Sequence, residues 1–195
     1  MTKQQTSFEN TYSFKETVRG DLIAWLRIWR SEWNPEQEMP WPFVLGLIWN
    51  SMGLRATLLY RLSYFLRSKK VKAIPGILAR LNITLHGLDI PSSVQIGPGL
   101  YIPHPVGNVV MARRIGANLS LIGSNTIGMR NTHAFPVLGD NVFMGAGARV
   151  LGDIVIGDNV NIGANAVVIQ DLPSNCTAVG VPAKILETSR VEKDR

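Results

Sequence analysis

Cysteine is nearly absent from this chain of 195 residues: Cys176 stands alone. An internal disulfide framework is thereby excluded, and the usage fits a reducing compartment. Acidic residues are missing between Glu38 and Asp89, a span holding Arg55, Arg61, Arg67, Lys69, Lys70, Lys72 and Arg80. Histidine occurs at only three places, His86, His104 and His133. Tryptophan is missing after residue 50, with Trp25, Trp29, Trp33, Trp41 and Trp49 all in the first quarter. No hydrophobic run is long enough for a spanning helix: the uncharged stretch 39–54 is short and carries Pro40, Pro42 and Asn50. MTKQQTSFENTYSF contains no apolar segment of the secretory kind. The expectation is a soluble, cytoplasmic protein.

The residues that are present describe two architectures. A composition of 46% apolar and 17% charged residues is that of a folded globular chain. The net charge of +6 is uneven: residues 1–86 carry twelve Lys/Arg against six Asp/Glu, and residues 87–195 carry eight of each. In DLIAWLRIWRSEW, Leu22, Trp25, Leu26 and Trp29 recur at helical spacing, with Asp21 expected as the N-cap. LRATLLYRLSYFLRSKKVK puts Leu54, Leu58, Leu62, Phe65 and Leu66 on one side and Arg55, Arg61 and the lysine cluster elsewhere. PGILARLNITL reads as a third helix. Residues 1–86 are thus expected to form a helical region that caps the rest of the molecule. A second reading is a basic amphipathic surface resting peripherally on an anionic membrane. Nucleic acid is not expected as a partner, because no interleaved aromatic and basic motif accompanies the charge.

After Asp89 the period changes to six. Ile90, Ile96 and Ile102 form one series; Val109, Ile115, Leu121 and Ile127 a second; Leu138, Met144, Val150, Ile156, Ile162 and Val168 a third. Glycines attend most of these positions, for example Gly97, Gly116, Gly145 and Gly163. Strands and helices have periods of 2 and 3.6, so neither sustains this pattern. A coil of short strands does, each face contributing one inward aliphatic residue and each corner a small one. The frame slips between Ile102 and Val109, at YIPHPVG, and between Ile127 and Leu138, at GMRNTHAFPV. Loops leaving a rigid coil are where sites tend to be built.

This pattern resembles the hexapeptide-repeat acyltransferases. The resemblance implies a mainly β fold, a left-handed parallel β-helix over residues 87–186, followed by a polar tail at 187–195. DIPSSVQIGPGLYIPHPVGNVV resembles the opening of the serine acetyltransferase branch, in which a histidine follows an aspartate by fifteen residues, here Asp89 and His104. The likeness runs on through MGAGARVLGDIVIGDNVNIGANAVV and closes in AVGVPAKIL. It implies transfer of acetyl from acetyl-CoA to a hydroxyl. His104 would remove the acceptor's proton and Asp89 would hold the imidazole, the pairing that suits a base working near neutral pH. Gly145, Ala146, Gly163 and Ala164 would leave room for the pantetheine arm, and Lys184 would sit near the CoA phosphates. A homotrimer with the site between subunits is implied too.

Two departures bear on the acceptor. Serine acetyltransferases carry an Asp before the catalytic His, where this chain has Pro103, and His133 falls two residues short of the family's second histidine. Both are expected on the substrate side. IPHPVGNVV is similar to branch members associated with polysaccharide biosynthesis, so a sugar hydroxyl or glycan precursor is the expected acceptor, with L-serine as the alternative. Cys176 reads as a packed thiol. The rival classes are a non-catalytic assembly solenoid and a γ-type carbonic anhydrase, the latter lacking a close histidine pair.

Overall fold

A computed structural model of the chain describes residues 12–30 and 32–186. Four helices precede the coil: α1 (Phe14–Trp29), α2 (Trp41–Asn50), α3 (Met52–Ser68) and α4 (Ile74–His86). α1 begins about two turns before the position read from sequence. Its N-cap is Ser13, which accepts from Glu16 N while the Glu16 side chain accepts from Ser13 N. Asp21 therefore lies inside α1, not at its start, and it is fully buried. α2 was not anticipated as a helix, since its ten residues carry no charge and no amphipathic period.

α4 is built inside out. Its buried residues are Pro75, Asn82 and His86, while Ile77, Leu81 and Leu85 face outward. Asn82 Nδ2 donates to the Ala56 carbonyl of α3, and Ser63 Oγ donates to Pro75 O, so polar bonds join the two helices. His86 Nδ1 lies 2.8 Å from Asn82 Oδ1, and burial, then the Arg55 charge, hold its pKa below the ordinary 6.5. A folded value below the unfolded one means that the neutral ring's contribution is complete above about pH 6.5 and lost as pH falls through the folded value. The melting temperature is expected to drop on acidification below that point, with His86→Gln flattening the drop; parallel profiles would remove His86 from the account.

The coil is a parallel β-helix of three sheets. β1 (Leu88–Asp89), β2 (Asn108–Val110), β5 (Thr126–Gly128), β8 (Arg149–Leu151) and β11 (Val167–Val168) stack in the first. β3 (Arg114–Ile115), β6 (Val137–Leu138) and β9 (Val155–Ile156) form the second. β4 (Ser120–Leu121), β7 (Phe143–Met144), β10 (Asn161–Ile162), β12 (Thr177–Val179) and β13 (Lys184–Ile185) form the third, in which only β13 is antiparallel. One aliphatic per face points inward, and Leu121, Met144, Val150, Ile162 and Val168 are fully buried. Each such residue stabilises the stack by roughly 1.5–3 kcal/mol.

The structure moves one inward position. Val110, not Val109, is fully buried and pairs with Ile127, so Val109 leaves the expected series. The insertion after Ile102 thus adds two residues, and the next face is one shorter. Some corners also differ from the expectation of small residues. Asn118, Asn141, Asn159 and Asn175 hold positive φ, and each of the first three donates its amide to the next one's Oδ1 at 2.9–3.0 Å. Asparagine tolerates the left-handed region and adds a bond that glycine cannot.

A buried ion pair fastens the helical region to the first coil. Arg61, expected off the apolar side of its helix, is 2% exposed and lies 2.7 Å from Asp21. Asp21 Oδ1 also accepts from Gly99 N and Leu100 N, and Arg61 donates to Ile96 O and Gly97 O. Burial works against the charge of Arg61, and the Asp21 carboxylate overcomes it, holding the guanidinium above its ordinary range.

Candidate active site

The loop that carries His104 leaves the coil at the corner between the third sheet and the first. One buried amide holds it. Asn108 Nδ2 donates to His104 O at 2.7 Å and to Pro105 O at 3.0 Å, and Asn108 Oδ1 accepts from Asn125 N at 2.9 Å. Gly107 N donates to Gly87 O, tying the loop to the turn before β1. The sequence signal for Asn108 was available: an asparagine opening a strand directly after an insertion. From the other side, α3 presses on the loop through Gly53, where a Cβ would overlap the Ile102 carbonyl oxygen.

His104 is exposed and Pro103 half-buried, and both line a cavity of about 490 Å³. Its other walls come from the helical region, Trp25, Trp29, Leu47, Asn50, Ser51 and Met52, and from Tyr101 and Ile122 of the coil. No Asp, Glu, Lys or Arg is among them. Trp25 packs edge-on to Tyr101 at 4.8 Å between ring centroids, and its buried indole N–H has no hydrogen-bond partner. Burial pushes the Tyr101 phenol up, opposed by a hydrogen bond with Trp29. The helical region is thus half of the site's wall, which the sequence did not indicate.

The strand register sets a second feature. Tyr101 pairs with Ser120, Ser120 with Phe143, Phe143 with Asn161 and Asn161 with Thr177. Three residues along each coil stand His104, Gly123, Ala146, Ala164 and Gly180, which therefore stack at one corner. The contact is direct at the top, where a Cβ on Gly123 would lie 3.3 Å from His104 Cβ. Four coil steps of about 4.8 Å give a smooth strip of roughly 19 Å below the imidazole. Lys184 pairs with Val179 of β12, so it stands exposed at the foot of this strip. Gly145 and Gly163 lie one residue inward. A Cβ on Gly145 would come within 2.6 Å of Ala164 N, so tight stacking alone requires glycine there.

No hydrogen bond joins the remaining candidates to His104, whose backbone carbonyl accepts from Asn108. Asp89 lies half-buried in β1, and no hydrogen bond joins it to His104. His133 is exposed on the loop after β5, its ring edge-on to Phe135 at 5.1 Å. The Cys176 thiol is pushed up by burial and donates to Pro173 O, which suits a packed thiol. Among the described residues, no group of three or more His, Cys, Asp or Glu is placed to hold a metal ion.

Comparison with known proteins matches residues 135–170 to the family described as bacterial transferase hexapeptide (six repeats). The serine acetyltransferase of Helicobacter pylori (strain J99) is 40% identical over 144 residues, 71% of this chain and 83% of that protein. That of Synechococcus elongatus is 36% identical over 146 residues, 73% of this chain; the match spans 60% of the relative's length. Among solved structures, soybean serine acetyltransferase complexed with serine superposes with a TM-score of 0.76 at 28% identity, covering 89% of this chain and 70% of that one. A serine acetyltransferase complex with CoA gives 0.73 at 28% identity, with 89% and 70% covered. The fold is accordingly the left-handed β-helix with an N-terminal helical region. The expected kinship with polysaccharide-associated enzymes gains no support from these relatives, which are serine acetyltransferases. The chain belongs to the serine acetyltransferase family of hexapeptide-repeat transferases.

Proposed function

We propose that this protein is an acetyl-CoA-dependent O-acetyltransferase, with His104 as its base and L-serine, the ligand of the soybean complex, as its acceptor. The observation that carries the reading is the placement of His104 at a cavity mouth on one side and at the head of the small-residue strip on the other. The strip suits the pantetheine arm of acetyl-CoA, with Lys184 near its phosphates and the thioester beside His104. His104 takes the proton from the acceptor hydroxyl as its oxygen attacks the thioester carbonyl. The carbon–sulfur bond then breaks, and the imidazolium returns a proton to the CoA thiolate. Asp89 orients the imidazole in the complex; catalytic hydrogen bonds are often unmade in a free enzyme. His133 serves on the substrate side, and the working unit is a homotrimer whose neighbouring subunits close the strip.

A second reading has its own observation. Pro103 replaces the aspartate that handles serine in the family, and the cavity walls are mainly aromatic and apolar, with Asn50 and Ser51 but no carboxylate. An ammonium would find no counter-charge there, whereas a sugar hydroxyl needs none and its ring packs on Trp and Tyr faces. Thiol release from acetyl-CoA, measured across L-serine and a panel of nucleotide- and lipid-linked sugars, decides between the two. Turnover on L-serine supports the first and sinks the second. Turnover on a sugar alone does the reverse, and turnover on neither removes the proposed activity.

The cofactor assignment makes a separate prediction. Ala164→Trp blocks the strip without touching His104, so KM for acetyl-CoA rises by about ten-fold or more while the KM for acceptor stays put. Equal KM values in variant and parent would move the cofactor off this corner.

A further inference from the structure

The C-terminal half of α3 faces the tight turn 91–94, which follows β1. Tyr60, Tyr64 and Arg67 are spaced at i, i+4 and i+7, so they share one face of α3. Tyr60 Oη donates to Val94 O at 2.7 Å and fixes that face against the turn, which Val94 N closes by donating to Pro91 O. Between the two segments lies a cavity of about 230 Å³, lined by Tyr64, Arg67, Ser68, Ser92 and Ser93. Its walls supply four hydroxyls and a guanidinium, and no carboxylate. Ser92 is only 8% exposed, yet its hydroxyl meets no hydrogen-bond partner among the described residues. Arg67 is exposed and has no ion pair among them. The Ser68 hydroxyl is committed to Phe65 O, which leaves Arg67, Ser92, Ser93 and Tyr64 as donors. A single anion completes both the buried hydroxyl and the guanidinium.

We propose that this cavity binds a phosphoryl group, held by the Arg67 guanidinium and the hydroxyls of Ser92, Ser93 and Tyr64. Donor geometry selects the ligand. A guanidinium fork spans two oxygens of an oxyanion, while the serine hydroxyls come from the opposite segment. A carboxylate has its two oxygens in one plane and would leave the serines unmet, whereas a tetrahedral phosphoryl group offers oxygens to both sides. The local charge agrees with this choice: Lys69, Lys70 and Lys72 follow Arg67, and no Asp or Glu occurs between Glu38 and Asp89. Against them stands the negative end of the α3 dipole, about half a charge, which the four cations outweigh. The last carbonyls of α3 do not compete for Arg67, because Lys69 N, Val71 N and Lys70 N donate to Phe65 O, Leu66 O and Arg67 O. Across the ridge made by Tyr64 and Ser68 is a second cavity of about 290 Å³, walled in part by Tyr12, Phe14 and Phe65, where the body of a phosphate monoester has room.

Titration calorimetry of the full chain with inorganic phosphate, at ionic strength held constant with sodium chloride, tests the proposal. Saturable binding is expected, with a melting temperature that rises with phosphate because the bound anion ties α3 to the coil. Arg67→Gln is expected to weaken binding about ten-fold or more, and Ser92→Ala about three-fold or more. Both variants are expected to keep the parent's melting temperature without phosphate, since neither side chain is bonded within the described residues. Arg80→Gln removes the same charge from α4, outside the cavity, and is expected to bind as the parent does. Phenyl phosphate distinguishes the source: tighter binding than inorganic phosphate identifies a monoester whose body enters the second cavity, and equal or weaker binding identifies free phosphate. Failure of both probes to saturate the parent overturns the proposal. So does parent affinity in Arg67→Gln, as a site at Lys184 would give, or a loss in Arg80→Gln as large as that in Arg67→Gln. The readout is binding, so none of these outcomes depends on acetyl transfer.

Discussion

Replacing His104 by alanine is expected to lower kcat with acetyl-CoA by roughly 10²–10⁴-fold and to leave the melting temperature unchanged, because positioned acid–base groups contribute on that scale. The two halves of this expectation rest on different facts. His104 is exposed, and the loop is held by its backbone carbonyl, not by its ring. Removing the imidazole therefore removes a base and no packing. Asn108→Ala is the contrasting case: its buried amide serves two carbonyls and one N–H, so activity and stability fall together. A His104→Ala protein that turns over within a few-fold of the parent would show that the loop is only a connection in the solenoid.

The second large effect concerns stability. Arg61→Met is expected to cost about 3–5 kcal/mol in denaturant unfolding, since it leaves the Asp21 carboxylate buried without its cation. Buried pairs can sometimes be exchanged for apolar residues at little cost, and here they cannot. Asp21 and Arg61 also serve Gly99 N, Leu100 N, Ile96 O and Gly97 O. An Asp21→Leu/Arg61→Met double variant orphans those four backbone groups and is expected to stay well below the parent. A loss under about 1 kcal/mol for Arg61→Met would mean that water or another donor reaches the Asp21 carboxylate. The corner it holds lies just before Tyr101, so the same variant is expected to blunt activity through the cavity wall.

Much of this molecule was legible because its core is periodic. A residue every six positions with small neighbours has one economical folded form, and Ile96, Leu121, Ile156 and Ile162 are inward as the spacing requires. Interruptions were legible for the same reason, which is how His104 stood out. Val109 and Val110 were not separable, because two adjacent valines fit either frame and the length of the insertion alone decides which turns in. Asp21 was misplaced because an acid before an apolar run is an ordinary N-cap, and only the approach of Gly99 and Leu100 makes a mid-helix carboxylate stable. α2 carried no signal, since an uncharged run without amphipathic period is compatible with several forms.

The solenoid, its two loops, the candidate base and the separation of a basic helical region from a neutral coil can all be read from the linear chain. Those follow from local spacing, which a linear string contains. Tertiary structure decided that the helical region walls the His104 cavity, that Arg61 is inside, that the corner below His104 is a continuous strip ending at Lys184, and that α2 keeps an apolar face outward. Each depends on which residues of distant segments meet. That is set by helix packing and strand register, and neither has a period that the sequence displays.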